Sequence, residues 1–234
     1  MMELPRAWAA TYEADTKEEL LLAYKAWAPT YDEDSIGMFG YAAPDSAARM
    51  LSQLLGEDGH SANILDVGAG TGLVGERLWA RGHRNLTGVD ISPAMLEIAR
   101  RKKCYGKGLI CCDLEDDDMS RHCLPDSHYD AAVCVGTFTP NHVGRKALDT
   151  MVRCVRPGGF LCITLRDDFL ADLDGLSNGF QKYIDGLCMT GVLERLGSTE
   201  SELYTPHVSD EISFRCWSYR ILPSGIRGDW RGCS

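Results

Sequence analysis

No apolar run in this 234-residue chain approaches the ~18–20 residues that a bilayer span needs. The best runs, FLCITL from Phe160 and AAVCV from Ala131, are strand-length. The N-terminus, MMELPRAWAATYEADTKEEL, carries acids early and has neither an uninterrupted apolar stretch nor a small-residue cleavage site. A cytoplasmic protein with no membrane partner is expected. Positive charge is also scarce: 24 Lys and Arg face 34 Asp and Glu, for a net charge of −10. Such a field repels a long phosphate backbone, so no nucleic-acid partner is expected. The one basic cluster, Arg100-Arg101-Lys102-Lys103, is short, lies just upstream of the acidic run Glu115 to Asp118, and reads as a solvated helix end. Ten cysteines are present, yet no CxxC pair. Cys111-Cys112 does not match structural zinc spacing, and no metal is expected. Cys134 and Cys162 sit in apolar runs as small buried hydrophobes. Internal repeats, linkers and low-complexity segments are missing as well, which points to one domain.

What is present is punctuation. Thr16 and Glu19 form a capping box, and Leu20, Leu21, Tyr24 and Trp27 follow at helical spacing until Pro29. Tyr31 to Pro44 is rich in Gly, Asp and aromatics and reads as a loop. A second helix follows, with Met50, Leu51, Leu54 and Leu55 on one face and Gly56 as its cap. From Ala62 the chain alternates. Strands are expected at Asn63–Val67, Leu86–Asp90, Leu109–Cys112, Tyr129–Val135 and Phe160–Leu165. Helices are expected near Gly72–Ala80, Pro93–Lys103 and Val143–Val155, with Ser92-Pro93 as a capped start. Arg156-Pro157-Gly158-Gly159 reads as a strong break. This order predicts a parallel sheet covered by helices. A further helix is expected at about Phe180–Leu196. The tail Tyr204 to Leu222 reads as two adjacent strands closing the sheet edge antiparallel.

The most informative stretch is ILDVGAGTGLVG, Ile64 to Gly75. A buried strand runs into Gly68, Gly70 and Gly72 and then into a helix, so backbone can approach a ligand closely. A dinucleotide fingerprint would place its third glycine where Leu73 stands. Asp66, two residues before the first glycine, disfavours a pyrophosphate and favours a cationic amine. Asp90 ends the second strand, where a carboxylate can accept from both ribose hydroxyls. Asp113 follows the third and could accept from an exocyclic adenine amine. Three acids at the carboxyl ends of successive strands point to one crevice.

ILDVGAGTG, LTGVDISPAML, CCDLE, YDAAVCVGTF and VRPGGFLCITLR together resemble the class I S-adenosylmethionine-dependent methyltransferases, from about Tyr24 to Arg166. The resemblance implies an α/β, Rossmann-like, doubly wound sheet of seven strands with the last antiparallel. It implies Asp66 near the methionine amine, Gly68 and Gly70 against the cofactor, Asp90 on the ribose and Asp113 on the adenine. Ile91, Met95 and Leu114 would pack around ribose and base, and Ala69, Cys112, Val135 and Gly136 complete that set. YKAWAPTYDEDS, GTFTPNH and ITLRDDF resemble the small methyltransferase-like proteins named for the Williams–Beuren chromosomal region and their bacterial relatives. That likeness puts Trp27 and Tyr31 in a helical lid, residues 1–43, where they would bind over the cofactor's methionine end, on a methyltransferase domain, residues 44–234.

Methyl transfer from a sulfonium needs position, desolvation and sometimes a base. The fourth strand runs into Val135-Gly136-Thr137-Phe138-Thr139-Pro140-Asn141-His142, without the Pro-Pro-aromatic motif of amide-methylating enzymes. His142 is placed to deprotonate a hydroxyl or thiol, or is simply an exposed helix-start residue. Arg166 could clamp a substrate carboxylate, or pair with Asp167 or Asp168. Tyr31 and Tyr41 could act as lid groups or merely pack. The expected function is methylation of a small-molecule acceptor at oxygen, nitrogen or sulfur, with S-adenosylhomocysteine as product. A catalytically silent cofactor-binding module and a protein methyltransferase are the alternatives.

Overall fold

The alternation from Ala62 onward produces the sheet. Strands β1 (Asn63–Val67), β2 (Asn85–Asp90), β3 (Gly108–Cys111) and β4 (Tyr129–Cys134) lie parallel, and β5 (Val155–Arg166) joins them beside β4. In chain order β6 (Leu193–Ser198), β7 (Glu202–Leu203) and β8 (Ser213–Ile221) follow. The strand order is β3-β2-β1-β4-β5-β8-β6, with the two-residue β7 paired to β8. The computed structural model describes residues 5–139, 143–171 and 179–223.

Period-2 alternation sends each strand's side chains into two cores. On β1, Leu65 and Val67 enter one core and Ile64 the other. The first core is covered by helix α7 (Arg145–Cys154), through Leu148 and Met151, and by α9 (Phe180–Met189), through Ile184. The second is covered by α3 (Ala43–Leu55), through Ala47 and Leu51, and by α4 (Leu73–Ala80), through Leu78. The sheet is therefore doubly wound, and its last strand is antiparallel to both neighbours. The reversal of strand order between β1 and β4 opens a crevice at their carboxyl ends.

Local signals worked where chemistry is local. Thr16 Oγ1 accepts from the Glu19 amide, and the Glu19 carboxylate accepts from the Thr16 amide, which starts helix α2 (Lys17–Trp27). Gly56 ends α3 at φ +67. Ser92 caps α5 (Pro93–Lys102).

Several expectations are corrected. The tail is one strand, and it inserts between β5 and β6, so β6 is the sheet edge. The helix expected to Leu196 stops at Met189, because the chain turns at Gly191 (φ +71) and then enters β6. Arg156 to Gly159 is not a break but a register shift within β5, where a Cβ on Gly159 would lie 2.6 Å from the Asp130 carbonyl. The segment after Tyr31 holds a π-helical turn, Glu33–Met38, around a buried Asp34 that accepts from Trp27 Nε1 at 2.7 Å and Thr30 Oγ1 at 2.9 Å. A helix not foreseen, α1 (Arg6–Glu13), lays Trp8 against Phe39. The acidic run starts another, α6 (Asp117–Cys123), capped by Asp116. No helix among the described residues is long and apolar enough to cross a membrane.

Candidate active site

A cavity of about 340 Å³ opens at the carboxyl ends of β1 to β4, roofed by the start of α2. Its floor is the glycine loop. The Gly68 and Ala69 amides both donate to the Val89 carbonyl, at 2.9 and 3.0 Å, which folds the loop tightly onto β2. Gly68 has φ +69, and a Cβ there would lie 2.2 Å from Thr137 Oγ1. Only glycine permits this approach.

Asp90 is the hub of the loop. Its Oδ2 accepts from the Gly70 amide and its Oδ1 from the Ser92 amide, both at 2.8 Å. Burial raises its pKa, and the bonds from Ser92 and Gly70 oppose that rise. Ile91, Met95, Cys112 and Leu114 form an apolar slot beside it, with Met95 only 2% exposed. Asp113 closes the slot. Its Oδ1 accepts from the Glu115 amide at 2.9 Å, and its Oδ2 pairs with Lys17 from the lid. Val135 and Gly136 line the opposite wall.

A second, smaller cavity of about 50 Å³ lies under the lid, and Tyr24, Tyr31 and Gly136 line both. Trp27 faces this second chamber, not the first. Its ring centroid lies 4.6 Å from that of Tyr31. Tyr41, also in this chamber, lies with its hydroxyl against Gly136, 2.3 Å from where a Cβ would stand. Arg166 forks onto Asp168, with Nε 3.0 Å from Oδ1, and its guanidinium carbon lies 6.0 Å from the Tyr204 ring centre. Of the two neighbouring acids it is Asp168 that Arg166 pairs with, and its guanidinium also hydrogen-bonds the Tyr12 hydroxyl. Burial pushes the Tyr31 hydroxyl far above its ordinary pKa, so it stays protonated near neutrality.

Asp66 and Ala69 stand apart from the cavity wall. Asp66 is 1% exposed and lies in the layer beneath the loop, bonded to Tyr105. His142 lies outside the described residues. Sequence reasoning missed Lys17, Tyr24 and Thr137, which line the cavity, and Asp32, which ties the lid to the loop. Asp32 accepts from Thr71 Oγ1 at 2.5 Å and pairs with Lys102 at 2.6 Å. The capping box could have pointed to Lys17, since it fixes where α2 begins. Nothing local marks the other three. Among the described residues no group of His, Cys, Asp and Glu is arranged to hold a metal ion.

Residues 64–159 match the family model of a methyltransferase domain. Methyltransferase-like protein 27 of Homo sapiens is 39% identical over 143 residues, which cover 61% of this chain and 56% of that protein. EEF1A lysine methyltransferase 2 of Danio rerio is 30% identical, over 64% of this chain and 67% of that one. The chain spans about half the length of the first curated relatives it matches. Among solved structures, an S-adenosylmethionine-dependent methyltransferase of Thermotoga maritima, titled a possible histamine N-methyltransferase, superposes with a TM-score of 0.58. That match is 18% identical and covers 84% of this chain and 97% of that one, so it speaks for the fold alone. With a glycine loop at the switch point of a 3-2-1-4-5 sheet, and with relatives that share its sequence beyond that loop, this chain belongs to the class I S-adenosylmethionine-dependent methyltransferases.

Proposed function

We propose that the protein transfers a methyl group from S-adenosylmethionine to a small molecule held in the aromatic chamber. The observation that carries this reading is adjacency: the larger cavity and the chamber share Tyr24, Tyr31 and Gly136 as lining, which would set an acceptor in one beside a donor in the other.

The residues present fit the cofactor. A bare backbone at Gly68 and Gly70 leaves room where side chains would collide or strain. Asp90 would hold ribose hydroxyls, and Ile91, Met95, Cys112 and Leu114 would enclose the adenine beside Asp113. Val135 and Gly136 would flank the amino-acid arm. Bound there, the sulfonium supplies an activated methyl carbon. The chain's own task is positioning and exclusion of water. Tyr24 and Tyr31 would flank the transferred methyl, the lid covers the chamber, and the acceptor is confined to a space too small for an extended chain.

Isothermal titration with S-adenosylmethionine, followed by a mass-spectrometric screen for acceptors that gain one methyl group, tests this. Binding with turnover of a small molecule is expected. Binding without any turnover would instead indicate a silent regulatory module, and modification of proteins alone would make it a protein methyltransferase.

A further inference from the structure

The chamber under the lid has an unusual chemical character. Its walls are the rings of Trp8, Tyr24, Trp27, Tyr31, Phe39 and Tyr204. The rings brace one another: Trp8 and Phe39 lie 5.8 Å apart edge-on, and Tyr24 and Trp27 are stacked at 6.4 Å. Among the described residues the rest of the wall supplies hydroxyls and one glycine, with no carboxylate, imidazole or ammonium. Burial keeps the hydroxyls of Tyr24, Tyr31, Tyr41 and Tyr204 protonated, so they form hydrogen bonds but take up no proton. The fixed cation beside the chamber, Arg166, is already matched by Asp168. The space of about 50 Å³ holds on the order of four water-sized groups, the size of a methylated amine head.

Resting on the methyl transfer proposed above, we propose that the acceptor is a small amine, methylated at an uncharged nitrogen inside this aromatic cage. A hydroxyl or thiol must shed a proton to become a strong nucleophile, and among the described residues these walls have no group to receive it. An amine that has given its proton to water before entering brings a free lone pair. That lone pair forms the nitrogen–methyl bond as the sulfur–methyl bond breaks, and the electrons of the broken bond stay on sulfur. Positive charge moves from sulfur to nitrogen, leaving a neutral thioether and an ammonium. The ammonium's proton passes to water after release. The site therefore holds one positive charge throughout the step, first on one side of Tyr24 and Tyr31 and then on the other. Aromatic faces suit this because their quadrupoles attract a cation without pairing it permanently.

The test uses the full chain saturated with S-adenosylhomocysteine. Choline and its uncharged isostere 3,3-dimethylbutan-1-ol are titrated by calorimetry. Choline should bind at least tenfold more tightly, and Trp8→Leu should remove most of that preference while leaving S-adenosylhomocysteine binding intact. If the variant does not fold, the isostere comparison on the unmodified chain decides alone. A parallel acceptor panel of amines, phenols, thiols, carboxylic acids and lysine peptides should show methyl gain on small amines. Equal binding of choline and its isostere overturns the amine site, as does methylation confined to any other class. A chain that does not bind S-adenosylhomocysteine overturns the proposed function along with it.

Discussion

The Tyr105 hydroxyl donates to Asp66 Oδ2 at 2.6 Å, beneath the glycine loop, while Asp66 Oδ1 is buried with no partner among the described residues. The tyrosine ring fits there because three glycines make room. A Cβ at Gly72, Gly75 or Gly88 would lie 3.1, 2.5 or 2.8 Å from it. Burial pushes the Asp66 pKa up to about 7; the Tyr105 bond opposes that rise, and the Asp90 charge adds to it.

A raised carboxyl pKa means that the fold favours the protonated form. Asp66's contribution to stability is therefore complete below its unfolded pKa, near 4, and is lost as pH rises through about 7. Denaturant unfolding of the cofactor-free protein at pH 5 and pH 8 should show this loss. Asp66→Asn should flatten the pH profile. Tyr105→Phe should cost about 1–3 kcal/mol at pH 8, where an ionised Asp66 loses its only side-chain donor, and less at pH 5. If the unmodified protein and Asp66→Asn share one pH profile, the carboxyl does not titrate in this window.

Asp90→Ala should weaken S-adenosylmethionine at least tenfold. Two hydrogen bonds to a charged acceptor are each worth about 1.5–3 kcal/mol, and the same carboxylate holds the Gly70 and Ser92 amides. Calorimetry with a circular-dichroism check of folding measures both. An unchanged dissociation constant would remove Asp90 from the binding site.

Lys17 and Asp113 join the lid to the end of β3 across the cavity mouth. The lysine side chain is 51% exposed, so the pair is worth at most about 1 kcal/mol and weakens with salt. Lys17→Ala should speed cofactor release by no more than about fivefold, and high salt should abolish the difference. Stopped-flow release rates in low and high salt check this. A much larger effect would mean that Lys17 touches the cofactor itself.

Gly136→Ala should damage turnover. The new methyl meets the Tyr41 hydroxyl, and φ at this position is +67. Left-handed backbone costs about 1–2 kcal/mol for a residue with a Cβ. Because Gly136 lines both cavities, we expect at least a tenfold loss in kcat/KM and a smaller loss in cofactor affinity. Steady-state kinetics beside calorimetry separates the two.

The half of the molecule built from short-range rules was legible. ILDVGAGTG placed β1 and its loop within a residue, and Asp90, Ile91, Met95, Asp113 and Leu114 come together in one cavity. These positions follow from strand ends, whose order a parallel sheet dictates. What stayed hidden depends on contacts distant in sequence. Nothing in KEELL marks Lys17 as the partner of an acid ninety-six residues away. Helical spacing puts Trp27 on the buried face of α2, yet which chamber it faces depends on Asp34, whose burial comes from a π-helical turn with no sequence signature. The tail strand illustrates the same limit, because alternation shows that a strand exists without naming its neighbours.

The placement of β8 carries a consequence for biogenesis. This strand is made after the other described strands and ends up inside the sheet, bridging β5 along seven residue pairs and β6 along five. Until Ser213 to Ile221 leave the ribosome, β5 and β6 both present unpaired backbone to solvent, an invitation to intermolecular pairing. Nascent chains halted before Ser213 should therefore engage chaperones or aggregate, although they already contain the entire cofactor cavity. Ligand capacity and colloidal safety are thus acquired at different moments of synthesis.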